Sequence, residues 1–244
     1  MNELVHGTEF RAALQGYHLS PVALHTLSMT KLVILVAPTS SGRNTIIWQL
    51  LKTDDYYFIV SDTTRLPRIN DGIPERNGHE YWFRSEDEVL KDIQHGKYLE
   101  AAIIHDQQVS GISVRELEKA TKQGKIAITD ADISGADNAT TYKPDTIAIF
   151  VVPPSFDEWQ RRLTHRGHMD PEEFKRRMQS ACKEFEAALS RPYYKFIIND
   201  SIEHSVEQVN QIAKLDTTNT EQQQTARNLA EPLLIATREL VGEG

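Results

Sequence analysis

The chain has 244 residues, with 27 Lys and Arg against 35 Asp and Glu, a net charge of −8 and one cysteine, Cys182. That balance argues against the broad basic face that a generic nucleic-acid or membrane-surface binder needs. A lone cysteine excludes an internal disulfide and any multi-cysteine metal site. With 39% hydrophobic and 25% charged residues, the composition is that of a globular chain of one or two domains with an ample core.

In chain order, residues 1–30 read as an N-terminal helical extension, with Ser20-Pro21 as a helix start. No apolar signal core opens the chain, and the longest apolar run, 32–37, is far short of the roughly 20 residues that span a bilayer. A cytoplasmic location is the expectation. β-rich runs then occur at 31–37, 56–60, 98–104, 125–131, 146–152 and 194–199. Amphipathic stretches at 44–52, 85–95, 113–123, 155–165, 171–190 and 202–214 alternate with them. Near-continuous apolar strands separated by helices predict an α/β fold, a mostly parallel sheet with helices on both faces. Residues 215–244 read as a polar linker (TTNTEQQQT, 217–225) followed by a final helix over about 225–241. Cys182, in a helical stretch, reads as packing.

Directly after the first predicted strand comes APTSSGRNT, residues 37–45, leading into the helix IIWQLLK. Strand, loop and helix in that order are the setting a phosphate-binding loop requires. Backbone N–H groups and the positive helix end can cradle polyphosphate oxygens. Against G-x-x-x-x-G-K-[ST], only Gly42 is unaltered: Ala37 replaces the first Gly, Arg43 the Lys and Asn44 the Ser/Thr. Arg43 keeps the cation in a bulkier planar shape. Asn44 removes the hydroxyl that would hold Mg²⁺, although its amide oxygen, or a water, is a substitute. An ordinary strand–helix turn is the alternative reading of this segment.

Downstream, VSDTTRLPR (60–68) and NGHEYWF (77–83) resemble the acceptor pocket of the guanylate kinase family, S-x-T-T-R-x-P-R followed by N-G-x-x-Y-x-F. The similarity continues in order through YLE (98–100), TDAD (129–132), FVVPPS (150–155), RRLTHRG (161–167), Arg177 and IND (198–200), covering roughly residues 31–212. It implies a P-loop nucleoside monophosphate kinase fold over 31–214. An acceptor-binding arm at about 61–125 and a lid at about 162–176 would close on the substrates.

The resemblance further implies that Pro38, Thr39, Ser40, Ser41, Gly42, Arg43, Asn44 and Thr45 bind ATP with Mg²⁺, no protein metal ligand being assigned beyond Asn44. Ser61, Arg65, Arg68 and Tyr81 would bind the acceptor phosphate, two guanidiniums on one short loop suiting bidentate contact. Glu100 would accept the adjacent N1–H and 2-amino donors of guanine, with Asp130 assisting. Asp130 and Asp132 end an apolar strand, where open α/β sheets put their ligands; helix capping is the other reading of Asp132. Arg43 together with Arg162, Arg166 and Arg177 of the lid would neutralise the charge of the transferred phosphoryl group. Arg161, Arg176, His165 and His168 read as surface residues, and Asn199-Asp200 as an adenine-side or turn-capping pair.

Two departures stand out. QQVSGIS (107–113) occupies the place of the family's Y-Y-G-[ST] segment, putting Ser110 at a Tyr position and Ile112 at a base-reading hydroxyl position. The loop 68–77 is also about four residues longer than the usual form. The leading expectation is transfer of the ATP γ-phosphoryl to GMP or dGMP by a monomer or homodimer. A phosphopeptide-type binding module with a silenced ATP loop and a kinase for another phosphorylated acceptor, such as a sugar phosphate, are the alternatives.

Overall fold

A computed structural model describes residues 4–70, 72–165, 170–215 and 219–242. Its elements run α1 Gly7–Gln15, α2 Pro21–Met29, β1 Leu32–Val36, α3 Arg43–Leu50, β2 Tyr56–Phe58, β3 Asp62–Thr63, β4 Ile69–Asn70, β5 Ile73–Pro74, β6 Trp82–Phe83 and α4 Glu86–Gln94. They continue with β7 Tyr98–Ile104, β8 Gln108–Ser113, α5 Val114–Lys122, β9 Ile126–Asp130, α6 Ile133–Tyr142, β10 Ile147–Val152, α7 Phe156–Thr164, α8 Pro171–Ser190, β11 Lys195–Ile198, α9 Ile202–Leu215 and α10 Thr220–Val241. The six predicted β-rich runs are β1, β2, β7, β9, β10 and β11, and the long apolar strands among them build the core.

The chain divides into two compact units: residues 1–31, 56–127 and 141–144, and residues 32–55, 128–140 and 145–244. The N-terminal extension thus groups with the segment predicted as the acceptor arm. In the second unit the strand order is β11-β10-β1-β9, and β1·β10 and β10·β11 are parallel. All of β1 is buried, as are Ala148 to Val152 of β10. Strands buried on both faces are the signature of a parallel sheet between helical layers.

The first unit carries a four-stranded sheet, β6-β3-β8-β7. Here β3 runs parallel to β6 and antiparallel to β8, and β8 pairs antiparallel with β7. Its two-residue strands β3 and β6 are too short to carry a periodic signal. The longer loop at 68–77 forms the hairpin β4–β5. Helix α4 starts with a capping box, Ser85 and Glu88 bonding each other's backbone N–H groups.

One expectation is corrected. The polar linker read as extending to residue 225 is helical from Thr220, because the Asn219 side chain accepts from the N–H groups of Glu221 and Gln222 and caps α10. Among the described residues no helix is long and apolar enough to cross a membrane.

Candidate functional site

In the second unit the 37–45 loop leaves β1 and enters α3 through two left-handed residues, Ser40 at φ 65° and Gly42 at φ 90°. For Ser40 that conformation is uncommon and is sustained only by surrounding contacts. Two side chains brace the loop directly, and a third braces one of them. Asn199 donates its amide N–H to the Ser41 carbonyl at 2.7 Å and accepts from Ser205 Oγ at 3.0 Å. Trp159 of α7 donates its indole N–H to the Thr39 carbonyl at 2.8 Å. Arg162 is held between Glu158, at 2.8 Å, and the Asn199 carbonyl, at 3.2 Å. A Cβ on Gly42 would lie 2.1 Å from Asn199 Nδ2, so the strut and the glycine require each other.

The loop encloses a cavity of about 70 Å³ lined by Ala37 to Asn44. Ser40 Oγ and Ser41 Oγ are buried there with no hydrogen-bond partner among the described residues. Buried hydroxyls are rarely left so, and donors facing a small cavity at a helix N-terminus suit phosphate oxygens. Asn44 and Thr45 are exposed. A metal bound here would be held chiefly by phosphate oxygens, with Asn44 Oδ1 as the protein's contribution.

Arg43 opens α3 and is already engaged. Its Nη2 lies 2.9 Å from Asp130 Oδ2 at the end of β9, and Nη1 donates to the Ala131 carbonyl at 3.1 Å. The structure thus places Asp130 on the loop cation. Asp132 accepts the Gly135 N–H at 2.8 Å through Oδ1, and its carbonyl accepts from Ala136. That is an N-cap on α6.

A second cavity, of about 210 Å³, is lined by Thr39 and by Glu173, Arg176, Arg177, Ser180 and Glu184 of α8. Arg177 is ion-paired to Glu173 at 2.7 Å. Burial pushes the Glu184 carboxyl up to about 7; the nearby Arg43 charge opposes the rise and Asp132 adds to it. Arg166 and His168 lie outside the described residues.

In the first unit Ser61 directly precedes β3, and the segment after the strand carries Arg65 and Arg68. Arg65 grips Glu75 with both terminal nitrogens, one of them at 2.9 Å, while Glu75 also accepts the Arg68 N–H at 2.8 Å. The Arg65 guanidinium sits 4.8 Å from the centre of the Tyr81 ring, a cation–π contact. The Arg65 hydrogen bonds hold Glu75 down at about 2. Arg68 is exposed, and Ser61 and Tyr81 are half-buried.

Glu100, half-buried on β7, pairs with Ile112, which is buried and offers no hydroxyl. A Cβ on Gly111 would meet the Glu100 carbonyl at 2.3 Å, so only glycine permits this approach of β8 to β7. Ser110 bonds Thr63 of β3 at 2.9 Å.

Sequence reading did not single out Asp62, Glu75, Trp159 or Glu184. Asp62 is 1% exposed and takes Tyr98 Oη at 2.6 Å and Arg115 at 2.7 Å. A carboxylate inside a run of Ser and Thr was the available signal, since burying it demands partners.

The sequence profile of the guanylate kinase family matches residues 29–215. A guanylate kinase of Corynebacterium diphtheriae is 33% identical over 75% of this chain and 93% of its own length. One of Porphyromonas gingivalis is 35% identical over 74% and 95%. Guanylate kinase 1 of Oryza sativa is 33% identical over 76% of this chain, which matches only 48% of that protein. The crystal structure of guanylate kinase from Anaplasma phagocytophilum superposes with a TM-score of 0.55 at 25% identity, covering 83% of this chain and 94% of its own.

Proposed function

This chain belongs to the guanylate kinase family, and we propose that it transfers the γ-phosphoryl group of ATP to GMP or dGMP. The observation that carries the reading is the sheet β6-β3-β8-β7 of the first unit. In it β3, which leads into the cationic turn, and β7, which carries Glu100, are two strands apart, about 10 Å across the sheet at ordinary strand spacing, with the turn lying further along the strand direction than Glu100. One end suits a monophosphate and the other a base edge with two adjacent donors.

In this reading Arg65, pre-oriented by Glu75 and Tyr81, receives the acceptor phosphate with Arg68, Ser61 and the Tyr81 hydroxyl. Glu100 reads guanine. The 37–45 loop holds the ATP phosphates through its backbone N–H groups and the hydroxyls of Ser40 and Ser41, with Arg43 as its cation. Mg²⁺, carried by those phosphates, supplies charge neutralisation. Arg162 adds positive charge from α7 and Arg177 from α8; Arg166, which the resemblance gives the same role, lies outside the described residues. Phosphoryl transfer asks mainly for position and charge of this kind.

A second reading is favoured by one contact: Arg43 is bound to Asp130 and the Ala131 carbonyl. A loop whose cation stays there would leave a GMP-binding module without turnover. ADP release from Mg-ATP, measured against GMP, dGMP, AMP, UMP, CMP and ribose 5-phosphate, separates the readings. GMP-dependent release supports the kinase. GMP binding with no release from any acceptor supports the module, and release with ribose 5-phosphate alone refutes both.

A further inference from the structure

The family profile begins at residue 29, yet α1, α2 and the turn between them are built into the first unit. Helix α1 packs against α4 and β7, with Phe10 fully buried among Val89, Ile93, Tyr98 and Val109. Glu86 at the start of α4 accepts the N–H groups of Val5 and His6, at 3.3 and 2.9 Å. At the start of α2, Ser20 donates its N–H to the Gly96 carbonyl at 3.0 Å. A Cβ on Gly96 would meet the His18 carbonyl at 2.5 Å. The extension therefore lies directly on the turn that leads into β7.

Between those contacts, Tyr17 reaches the strand itself. Its hydroxyl donates to the Tyr98 carbonyl and accepts the Tyr98 N–H at 2.8 Å. The register of β7 on β8 slips at this point: Tyr98 pairs with Ser113, but Glu100 pairs with Ile112, so two steps on β7 face one on β8. Such a bulge interrupts the ladder and re-aims the side chains that follow it. One phenol thus satisfies both backbone groups of the residue at the slip, two positions before Glu100.

We propose that Tyr17 is a positioning residue for base recognition, fixing the bulge that presents Glu100 to the acceptor's purine. This rests on the reading of Glu100 as the guanine contact. Burial pushes the Tyr17 hydroxyl up to about 12, so the proton it donates is retained at neutral pH. The phosphate end keeps anchors independent of Tyr17: Asp62 of β3, which takes Tyr98 Oη, is also held by Arg84 at 3.2 Å and by Arg115 at 2.7 Å. Loosening Tyr17 should therefore disturb the base more than the phosphate.

The test compares GMP with IMP, which keeps N1–H and lacks the 2-amino group. Tyr17→Phe keeps the ring and removes the hydroxyl. Its kcat/KM for GMP should fall roughly five- to tenfold, the GMP:IMP ratio should fall towards one, and the KM for ATP should stay within about twofold. Phe10→Ala is the control: it empties the packing of α1 and lowers Tm while leaving the hydroxyl pair, so its GMP:IMP ratio should match the wild type. Thermal shift of wild type and Tyr17→Phe with GMP and with IMP gives the same comparison without turnover. A wild-type ratio retained in Tyr17→Phe, or an equal loss in Phe10→Ala, overturns the assignment of Tyr17 alone. A wild type that does not distinguish GMP from IMP removes the guanine reading of Glu100, and this inference with it.

Discussion

Two arginines proposed to meet phosphate, one in each unit, are held in different ways. Arg65 of the first unit and its partner Glu75 have side chains only 11% and 9% exposed, joined by two parallel hydrogen bonds with an aromatic ring beneath. Arg43 of the second unit and Asp130 are 25% and 33% exposed and share a single contact at 2.9 Å. A bidentate, shielded pair fixes the fork in one orientation. A monodentate pair open to water is weakly held and gives way readily to a better anion. In the proposed reading Arg65 is thus preorganised for the acceptor phosphate, and Arg43 stays on Asp130 until ATP arrives.

The comparison breaks first at its strong end. Arg65→Ala should lower kcat/KM for every phosphorylated acceptor by at least about a hundredfold, leaving Glu75 half-buried without its cation. Steady-state kinetics with GMP, dGMP and IMP check this, and a loss confined to guanine nucleotides would contradict it. At the other loop, Gly42→Ala meets both a left-handed backbone and the Asn199 amide 2.1 Å away. It should reduce kcat/KM for ATP roughly ten- to a hundredfold while GMP binding, measured by calorimetry, is retained. Equal damage to both ligands would mean the loop is not specific to ATP.

The next test is smaller and lies in pH. Glu184 faces the neighbourhood of Arg43 with its folded-state value raised to about 7, above the ordinary 4.5. A carboxyl raised on folding binds its proton more tightly in the native state. Stability therefore falls as pH rises from about 4.5 to 7 and stays lower above that. Glu184→Gln removes this titration. The variant should match the wild type at pH 5 and exceed it by about 1–3 kcal/mol at pH 8.5, a Tm difference of a few degrees. A constant difference between the two proteins across that range would show that Glu184 is ionised throughout.

How far the sequence announced all this varies by element. The long apolar strands β1, β9 and β10 were plain, because residues buried on both faces leave uninterrupted hydrophobic runs. The turn after β3, proposed to take the acceptor, stood out by its arginines and threonines, and Gly42 by its place between strand and helix. Glu75 was not, because its partner stands ten positions away across a hairpin whose strands have two residues each. Asn199 was legible as part of a motif, but its grip on Ser41 spans 158 positions and no local pattern encodes it. Tyr17 carried no signal at all, since its partner is a backbone 81 residues away. Side-chain bonds to distant backbone are the class of contact that propensity and periodicity leave unseen.

The smallest expected effect sharpens the comparison most. Arg43→Lys restores an ammonium, a compact charge that keeps three donors for phosphate and cannot form the planar contact with Asp130 and the Ala131 carbonyl together as a guanidinium does. If Arg43 is parked and then transferred to ATP, the lysine loses little and begins less tied to β9. Turnover should then stay within about threefold of the wild type or rise, with the KM for ATP changed by no more. If the Asp130 contact is instead what makes the loop competent, the same substitution should cost turnover, and Asp130→Asn should reproduce that loss with Arg43 intact. Arg43→Ala decides the remaining case. ATP affinity and turnover both unchanged would mean that Arg43 serves β9 alone, and the 37–45 loop would lose its assignment as the ATP site.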